Sequence, residues 1–374
     1  TTLLALSPLL VAQGLEAVKA KYDKREVMIP MRDGVKLFTV IYAPKDTAQK
    51  YPLMLNRTPY SAGPYGEEYK TTIGPSAAMA REGYIFVYQD VRGRWMSEGE
   101  FVDARPYNPQ KKGREVDESS DTYDTIEWLL KNIPNNNGKV GMVGISQPGF
   151  HVAASIIDSH PALKAASPQA PTADYYMGDD VYHNGAFMLA ANLWFYGYFR
   201  PRKGEPSPPK PTLPLDPGTP DGYDFSLKLG PLTDVNQKLF NGEATYWQEI
   251  VDHPTYDEFW KQRSLDRFMN NVKCAVLNVG GWFDAEDPVG PLRIYRSIEA
   301  KNPGAVNLLV MGPWRHGGWA YGDGDKLGNV NFAVKSAEYF RSEIQFPFFM
   351  HYLKDKPATQ PEAWMFLTGL NEWR

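Results

Sequence analysis

Two patterns of apolar spacing alternate along the chain, one with period two and one with the wider period of a helix. The stretch "REVMIPMRDGVKLFTVIYAP" (25–44) holds two alternating runs rich in β-formers about Arg32-Asp33-Gly34, which predicts a hairpin. The runs "PLMLNRTPY" (52–60) and "YIFVYQDVRG" (84–93) predict two further strands. Between Asp121 and Asn132 the spacing changes. Ile126, Leu129 and Leu130 fall on one face and acids occupy the first turn, so this segment reads as a helix stopped by Pro134-Asn135-Asn136-Asn137-Gly138. A short apolar strand follows over Lys139–Ile145, then Ser146, then a helical pattern in "FHVAASIIDSHP" that runs until Pro161.

From about Ala170 the texture changes. Aromatic-rich stretches over Tyr175–Phe199 and Ala244–Phe268 read as helical and enclose the proline-rich tract "PRKGEPSPPKPTLPLDPGTP" (201–220), which suits neither helix nor strand. Strand texture returns at Lys273–Val279 and at Val306–Met311, and "EAWMFLTGLNEWR" (362–374) begins a fresh β-like pattern. The economical organisation is one α/β domain interrupted by a helical insertion. It divides into an N-terminal arm or signal remnant (1–24), a first α/β part (25–168), a helical cap (169–271), a second α/β part (272–356) and the start of a further β-domain (357–374).

Composition narrows the function classes. The chain has 374 residues, 22% of them charged, and a formal net charge of −4. With no basic run it carries no electrostatic footprint for nucleic acid. The apolar stretch Ala186–Phe199 is too short to span a bilayer and is interrupted by Asn192. The single cysteine, Cys274, sits in a strand-like apolar run and reads as packing, so no disulfide within the chain exists. Residues Thr1–Gly14 have the apolarity and small-residue end of a signal-peptide core without its basic flank, and read equally as a clipped secretory signal or as an apolar arm.

The chemistry is concentrated where strands end. Gly144-Ile145-Ser146-Gln147-Pro148-Gly149 places a serine between a strand and a helix, the context of a nucleophile elbow. A serine is activated only when a base takes its proton and a carboxylate orients that base. The order Ser, Asp, His can be followed along the chain. Asp284 comes after the strand that ends at Val279, and His316 comes after the strand that ends at Met311. Of the six histidines, only His316 lies in a post-strand loop flanked by glycines.

"RTPY" (57–60), "DVRGR" with "SEGEF" (90–101), the serine turn, "MGDDVYHNGAF" (177–187), "GWFDAEDP" (281–288) and "GPWRHG" (312–317) together resemble the α-amino acid ester hydrolases. These belong to a wider family with cocaine esterase, glutaryl acylases and X-prolyl dipeptidyl aminopeptidases. The resemblance implies an α/β-hydrolase fold with an inserted helical cap, and a C-terminal jelly roll of which 357–374 would be only the first strand. It implies Ser146 as nucleophile, Asp284 as orienting acid and His316 as base. Tyr60 matches the tyrosine that forms half of the oxyanion hole, with the backbone N–H of Gln147 as the other half. Where the family usually has a tyrosine after the serine this chain has Gln147, whose side chain would line the acyl or leaving-group pocket. Asp180, Glu286 and Asp287 match the carboxylates that receive a substrate α-ammonium group. Such a cluster is self-repelling when empty and should hold a proton, a cation or water. Oxygen-only clusters also suit divalent cations, but "DAED" lacks the spacing and glycine of a calcium loop, so neither metal nor cofactor is expected.

The expected activity is therefore hydrolysis of esters and amides of α-amino acids, β-lactam antibiotics among them, through an acyl-enzyme. A periplasmic or secreted location and a homo-oligomer built through the N-terminal arm are further implications of the resemblance. The rivals are a general carboxylesterase or acylase of the same family, and a non-catalytic binding protein on a hydrolase scaffold.

Overall fold

The runs on either side of Asp33 can each bury one face only by pairing, and they do. In the computed structural model, which describes residues 14–178, 180–210 and 216–374, helix α1 (Leu15–Lys21) leads into β1 (Tyr22–Pro30) and its antiparallel partner β2 (Lys36–Pro44). Then come β3 (Tyr51–Thr58), α2 (Ala77–Glu82), β4 (Ile85–Asp90), α3 (Glu118–Asn132), β5 (Asn136–Ile145), α4 (Gln147–Ser155) and β6 (Leu163–Gln169). The cap follows, with a small hairpin of β7 (Tyr182–His183) and β8 (Ala186–Phe187). Among the described residues it continues with α5 (Leu189–Tyr198), α6 (Gly222–Leu229), α7 (Leu232–Phe240), α8 (Thr245–Asp252), α9 (Glu258–Lys261) and a short 3-10 helix (Leu265–Phe268). The chain returns to the sheet with β9 (Ala275–Gly281), α10 (Gly290–Lys301) and β10 (Asn307–Gly312). A hairpin of β11 (Lys326–Leu327) and β12 (Val330–Asn331) precedes α11 (Ser336–Tyr339), a π-helical turn and α12 (Phe346–Lys354). Strands β13 (Ala363–Leu367) and β14 (Glu372–Trp373) close the described chain.

The main sheet has ten strands in the order β1-β2-β4-β3-β5-β6-β9-β10-β13-β14, parallel from β4 through β13. Parallel strands need crossovers, and the helices that supply them cover both faces. Ile126, Leu129, Phe150, Val152, Ile294 and Ile298 bring α3, α4 and α10 onto one face. Val18, Met79, Phe348 and Leu353 bring α1, α2 and α12 onto the other. This is an α/β-hydrolase fold, with the loops at the carboxyl ends of β3, β5, β6, β9 and β10 gathered at one edge.

Three segments depart from the sequence reading. Tyr175–Phe199 is not one helix: turns and the β7/β8 hairpin occupy it until Leu189. The reason is local, since Asn184 and Gly185 take φ of 50° and 89°, the pair of left-handed residues that a tight hairpin requires. Ala244–Phe268 is broken after Asp252, where His253-Pro254 cannot continue a helix. The C-terminal stretch, read as opening a separate β-domain, instead adds to the main sheet, with Leu309, Val310 and Met311 beside Ala363, Trp364 and Met365. Trp364 and Phe366 are buried there. Of the N-terminal arm, residues 1–13 lie outside the described residues, as do 211–215 of the proline-rich tract.

Candidate active site

Ser146 stands between β5 and α4 with φ 65° and ψ −128°, a backbone conformation that non-glycine residues rarely hold. Two glycines allow it. A Cβ on Gly144 would lie 2.3 Å from the Pro148 carbonyl oxygen, and one on Gly149 would lie 2.4 Å from that of Gln169. The turn is fixed by the Ser146 N–H, which donates to the Gln169 carbonyl at 3.0 Å, and by the Ser146 carbonyl, which accepts from Phe150 at 2.8 Å. Gln147 opens the helix, where the first N–H groups have no intrahelical acceptor.

Tyr60 follows the end of β3. Its ring keeps 39% exposure and packs against Phe199 and Tyr198 of the cap at 5.5 and 6.1 Å. The hydroxyl end is buried beside the Ser146 side chain. Burial first, then the charges of Asp180 and Asp103, push this phenol well above its usual range, with the Ser146 hydroxyl opposing.

Asp284 and His316 meet across the ends of β9 and β10. His316 Nδ1 lies 2.8 Å from Asp284 Oδ2, while Asp284 Oδ1 accepts the backbone N–H of Glu286 at 2.9 Å and of Asp287 at 3.1 Å. A carboxylate so held accepts a hydrogen bond from Nδ1–H, which fixes that tautomer and leaves Nε2 as the basic nitrogen. Burial pulls the His316 imidazolium down, but the Asp284 hydrogen bond and the charges of Asp284, Glu286 and Asp180 outweigh it and raise its pKa. The loop lies beside the serine turn, because a Cβ on Gly317 would be 3.8 Å from Ile145 Cγ2.

The three other predicted carboxylates gather around the same histidine. Glu286 Oε2 is 3.8 Å from His316 Nε2 and Asp287 Oδ2 is 4.0 Å from Nδ1. Asp180 arrives from the segment after β6 and joins them through Thr172, whose Oγ1 lies 2.9 Å from Asp180 Oδ2 and 3.1 Å from Asp287 Oδ1. One hydroxyl has one proton and cannot donate to two carboxylates at once, so the arrangement calls for an additional proton. Burial foremost, with the Glu286 charge, pushes the Asp180 carboxyl up to about 6, against the Thr172 hydrogen bond and the His316 charge. Glu286 is the exposed member, at 57% of its side chain, and faces the open space.

Gln147 departs from the sequence reading. Its side chain does not offer its amide to an open pocket but is 2% exposed, with Nε2 donating to Asp103 Oδ1 at 2.6 Å and to the Tyr175 hydroxyl at 3.1 Å. Tyr196 completes the group by donating to Asp103 Oδ2 at 3.3 Å. Burial raises the Asp103 carboxyl to about 6, the Gln147 hydrogen bond opposing and the Asp180 charge adding. Sequence reasoning missed both Thr172 and Asp103. Asp103 had one signal, an isolated acid inside the apolar stretch Phe101-Val102-Asp103-Ala104.

Four of the five other histidines have partners elsewhere. His151 pairs with Glu118, His160 with Glu127 and His253 with Asp257, and His351 meets the Lys356 carbonyl. His183 is in the cap hairpin. Burial pushes the Cys274 thiol up to about 12. Among the described residues no three His, Cys, Asp or Glu side chains are arranged to hold a metal, and no helix is long and apolar enough to cross a membrane.

Comparison with known proteins gives the family and the fold. Residues 33–318 match the model of the X-Pro dipeptidyl-peptidase (S15) family. Cocaine esterase of Rhodococcus sp. (strain MB1 Bresler) is 29% identical over 365 residues, which cover 93% of this chain and 58% of that protein. A solved α-amino acid ester hydrolase superposes with a TM-score of 0.85 at 36% identity, covering 100% of this chain and 61% of its own. An aminopeptidase from a marine sediment Thaumarchaeota archaeon also superposes with a TM-score of 0.85 at 36% identity, covering 95% of this chain and 58% of its own. The chain thus spans about three fifths of the length of these relatives. On the matched sequence, which takes in every predicted site residue, the chain belongs to the X-Pro dipeptidyl-peptidase (S15) family.

Proposed function

We propose that the protein is a serine hydrolase of α-amino acyl esters and amides, working through an acyl-enzyme. The single observation that carries the α-amino preference is the carboxylate group around His316, in which Thr172 bridges Asp180 and Asp287 while Glu286 faces the open space. Carboxylates forced together this way repel, and a substrate ammonium relieves the repulsion by replacing the extra proton. A neutral acyl group offers no such gain.

In the proposed reaction Ser146 Oγ attacks the acyl carbonyl carbon as its proton passes to His316 Nε2. The carbonyl π electrons move onto oxygen, where the Tyr60 hydroxyl and the Gln147 N–H stabilise the charge. Collapse breaks the bond to the leaving oxygen or nitrogen, which takes the proton from His316 as it departs. Water then attacks the acyl-serine ester along the same path, returning Ser146 and releasing the amino acid. The similarity to a named α-amino acid ester hydrolase and a named aminopeptidase supports both ester and amide substrates. β-Lactam antibiotics with an α-amino acyl side chain are amides of this kind.

The test compares D-phenylglycine methyl ester with methyl phenylacetate, which differ only in the amino group. The expected result is a kcat/KM at least about tenfold higher for the amino ester, corresponding to one partly screened charge contact. Equal turnover reduces the protein to a general carboxylesterase. Failure of a fluorophosphonate probe to label wild-type protein at Ser146, with Ser146→Ala as the blank, leaves a non-catalytic binding protein.

A further inference from the structure

Gln147 is the residue through which the serine turn is fastened to its surroundings. Its side chain is buried, with Nε2 donating to Asp103 Oδ1 at 2.6 Å and to the Tyr175 hydroxyl at 3.1 Å. The three residues come from three places: Gln147 from the start of α4, Asp103 from the segment between β4 and α3, and Tyr175 from the segment after β6. A fourth place joins through Tyr196 of α5, which donates to Asp103 Oδ2 at 3.3 Å. The Asp103 segment is itself held on both sides. Two residues before it, Phe101 stacks on Phe199 of the cap with ring centres 5.6 Å apart. One residue after it, Ala104 takes φ 45°, a left-handed conformation uncommon outside glycine, and turns the chain.

Asp103 is a costly acid for such a place. It is 4% exposed, and the donors to its oxygens are an amide and a phenol, both neutral. Taking a carboxylate out of water is unfavourable, and hydrogen bonds from neutral groups offset only part of that. Its charge also works against the reaction. It is among the charges that push the Tyr60 phenol up, and the same sign disfavours a negative oxygen forming beside that hydroxyl. What the carboxylate offers is geometry: one oxygen holds Gln147 and the other is held by the cap.

We propose that Asp103 is a positioning residue for the oxyanion hole and that it acts through Gln147. The main-chain nitrogen and the side chain of Gln147 are joined at one Cα, so a glutamine free to shift carries its N–H with it. This rests on the reading of the site given above, in which that N–H is one of two oxyanion donors, and adds the group that keeps it in place. Such a role serves every ester that reacts at Ser146, whatever its acyl group.

The test reads kcat and KM on D-phenylglycine methyl ester and on methyl phenylacetate, above the pH of about 6 at which Asp103 takes up a proton. Asp103→Leu removes the acceptor and is expected to lower kcat about tenfold on both esters with KM nearly unchanged, a part of the loss on deleting an oxyanion donor. Asp103→Asn keeps an oxygen for Gln147 and is expected to stay within about threefold of wild type. Gln147→Leu should match Asp103→Leu, and the two together should lose no more than either alone. A second measurement uses substitutions that preserve size. Gln147→Glu sets two carboxylates against each other and is expected to lower kcat, and adding Asp103→Asn is expected to restore it. That pair decides the matter where Asp103→Leu fails to fold. Unchanged kcat in Asp103→Leu, an equal loss in Asp103→Asn, losses that multiply in the double variant, or a Gln147→Glu defect that Asp103→Asn leaves in place each overturn this assignment alone. A loss confined to the amino ester overturns it too, because Asp103 then acts on the carboxylates beside Asp180. Absence of wild-type turnover on both esters overturns the reading of the site together with this inference.

Discussion

Asp284 divides its two oxygens between two tasks, and the pH behaviour of the site follows from that division. Oδ1 is occupied by two backbone N–H groups, so Oδ2 alone faces His316. The hydrogen bond and the surrounding carboxylates hold the His316 pKa above the ordinary imidazole value of about 6.5. Only neutral imidazole can take the Ser146 proton, so kcat/KM is expected to fall as pH drops through that raised value. Glu286→Gln removes one of the charges that raise it, and the acid limb measured with methyl phenylacetate should move toward lower pH. Asp180 adds a second effect confined to amino substrates: below about pH 6 its carboxyl gains a proton and attracts an ammonium less. The KM for D-phenylglycine methyl ester should rise there beyond the change seen with methyl phenylacetate. A limb that does not move in Glu286→Gln refutes the electrostatic account. At this scale the sequence was informative where the signal is local. Glycines and a proline mark the Ser146 turn, and post-strand position marks Asp284 and His316. Asp103 gives no comparable signal, because its partner Gln147 is 44 residues away and the segment between 101 and 117 forms no regular element that would fix its direction.

Strand β3 delivers Tyr60, and its last turn of chain is anchored by an arginine with no solvent exposure. Arg57 Nε donates to Gln89 at 2.9 Å, Nη1 to Glu118 Oε2 at 2.9 Å and to Thr122 at 3.0 Å, and Nη2 lies 3.7 Å from Asp121. The same acids serve other partners, Glu118 with His151 at 3.1 Å and Asp121 with Arg92 at 2.6 Å. Burial pushes the Glu118 carboxyl up, but the charges of His151 and Arg57 outweigh it and hold it below the usual carboxylate range. Removing the arginine strands those carboxylates in a water-free place. Arg57→Leu is therefore expected to cost about 3–5 kcal/mol in urea unfolding, and to lower kcat on any ester through a loosened Tyr60. A loss under about 1 kcal/mol would show that the network is not energetically coupled. A charged residue inside the strand-like run "PLMLNRTPY" is a legible sign of a buried ion pair, but its partners on α3 are not. The elements themselves were legible wherever period and punctuation agreed. They were misread in the cap, where the Asn184-Gly185 turn sits inside aromatic sequence that also suits a helix. The C-terminal strand was misread for another reason: its partner, β10, lies about fifty residues earlier, and pairing across that distance leaves no trace in a local pattern.

Cap and hydrolase parts are joined by one continuous body of buried side chains rather than by a hinge. Ile126 and Leu129 of α3 belong to the same apolar cluster as Trp247 and Trp260 of the cap. Asp174 adds a polar tie, since its Oδ2 accepts from Tyr256 of the cap at 2.7 Å and from Arg293 of α10 at 2.8 Å. The segment that carries this tie leads on to Asp180, so the acid proposed to receive the substrate ammonium is positioned by contacts from both parts at once. Chains of this length commonly unfold in stages, one domain at a time. Here the shared core argues for the opposite, because withdrawing the cap would uncover Phe150 of α4, whose ring packs against Tyr175. Tryptophans report on both parts, Trp247 and Trp260 in the cap and Trp314 and Trp319 near the His316 loop. Urea titration followed by tryptophan fluorescence and by methyl-ester hydrolysis is expected to give coincident curves with a single midpoint. If activity disappears at lower urea while a separate fluorescence transition follows, the cap unfolds on its own, and the carboxylate group around His316 must be assembled by its docking rather than built into one core.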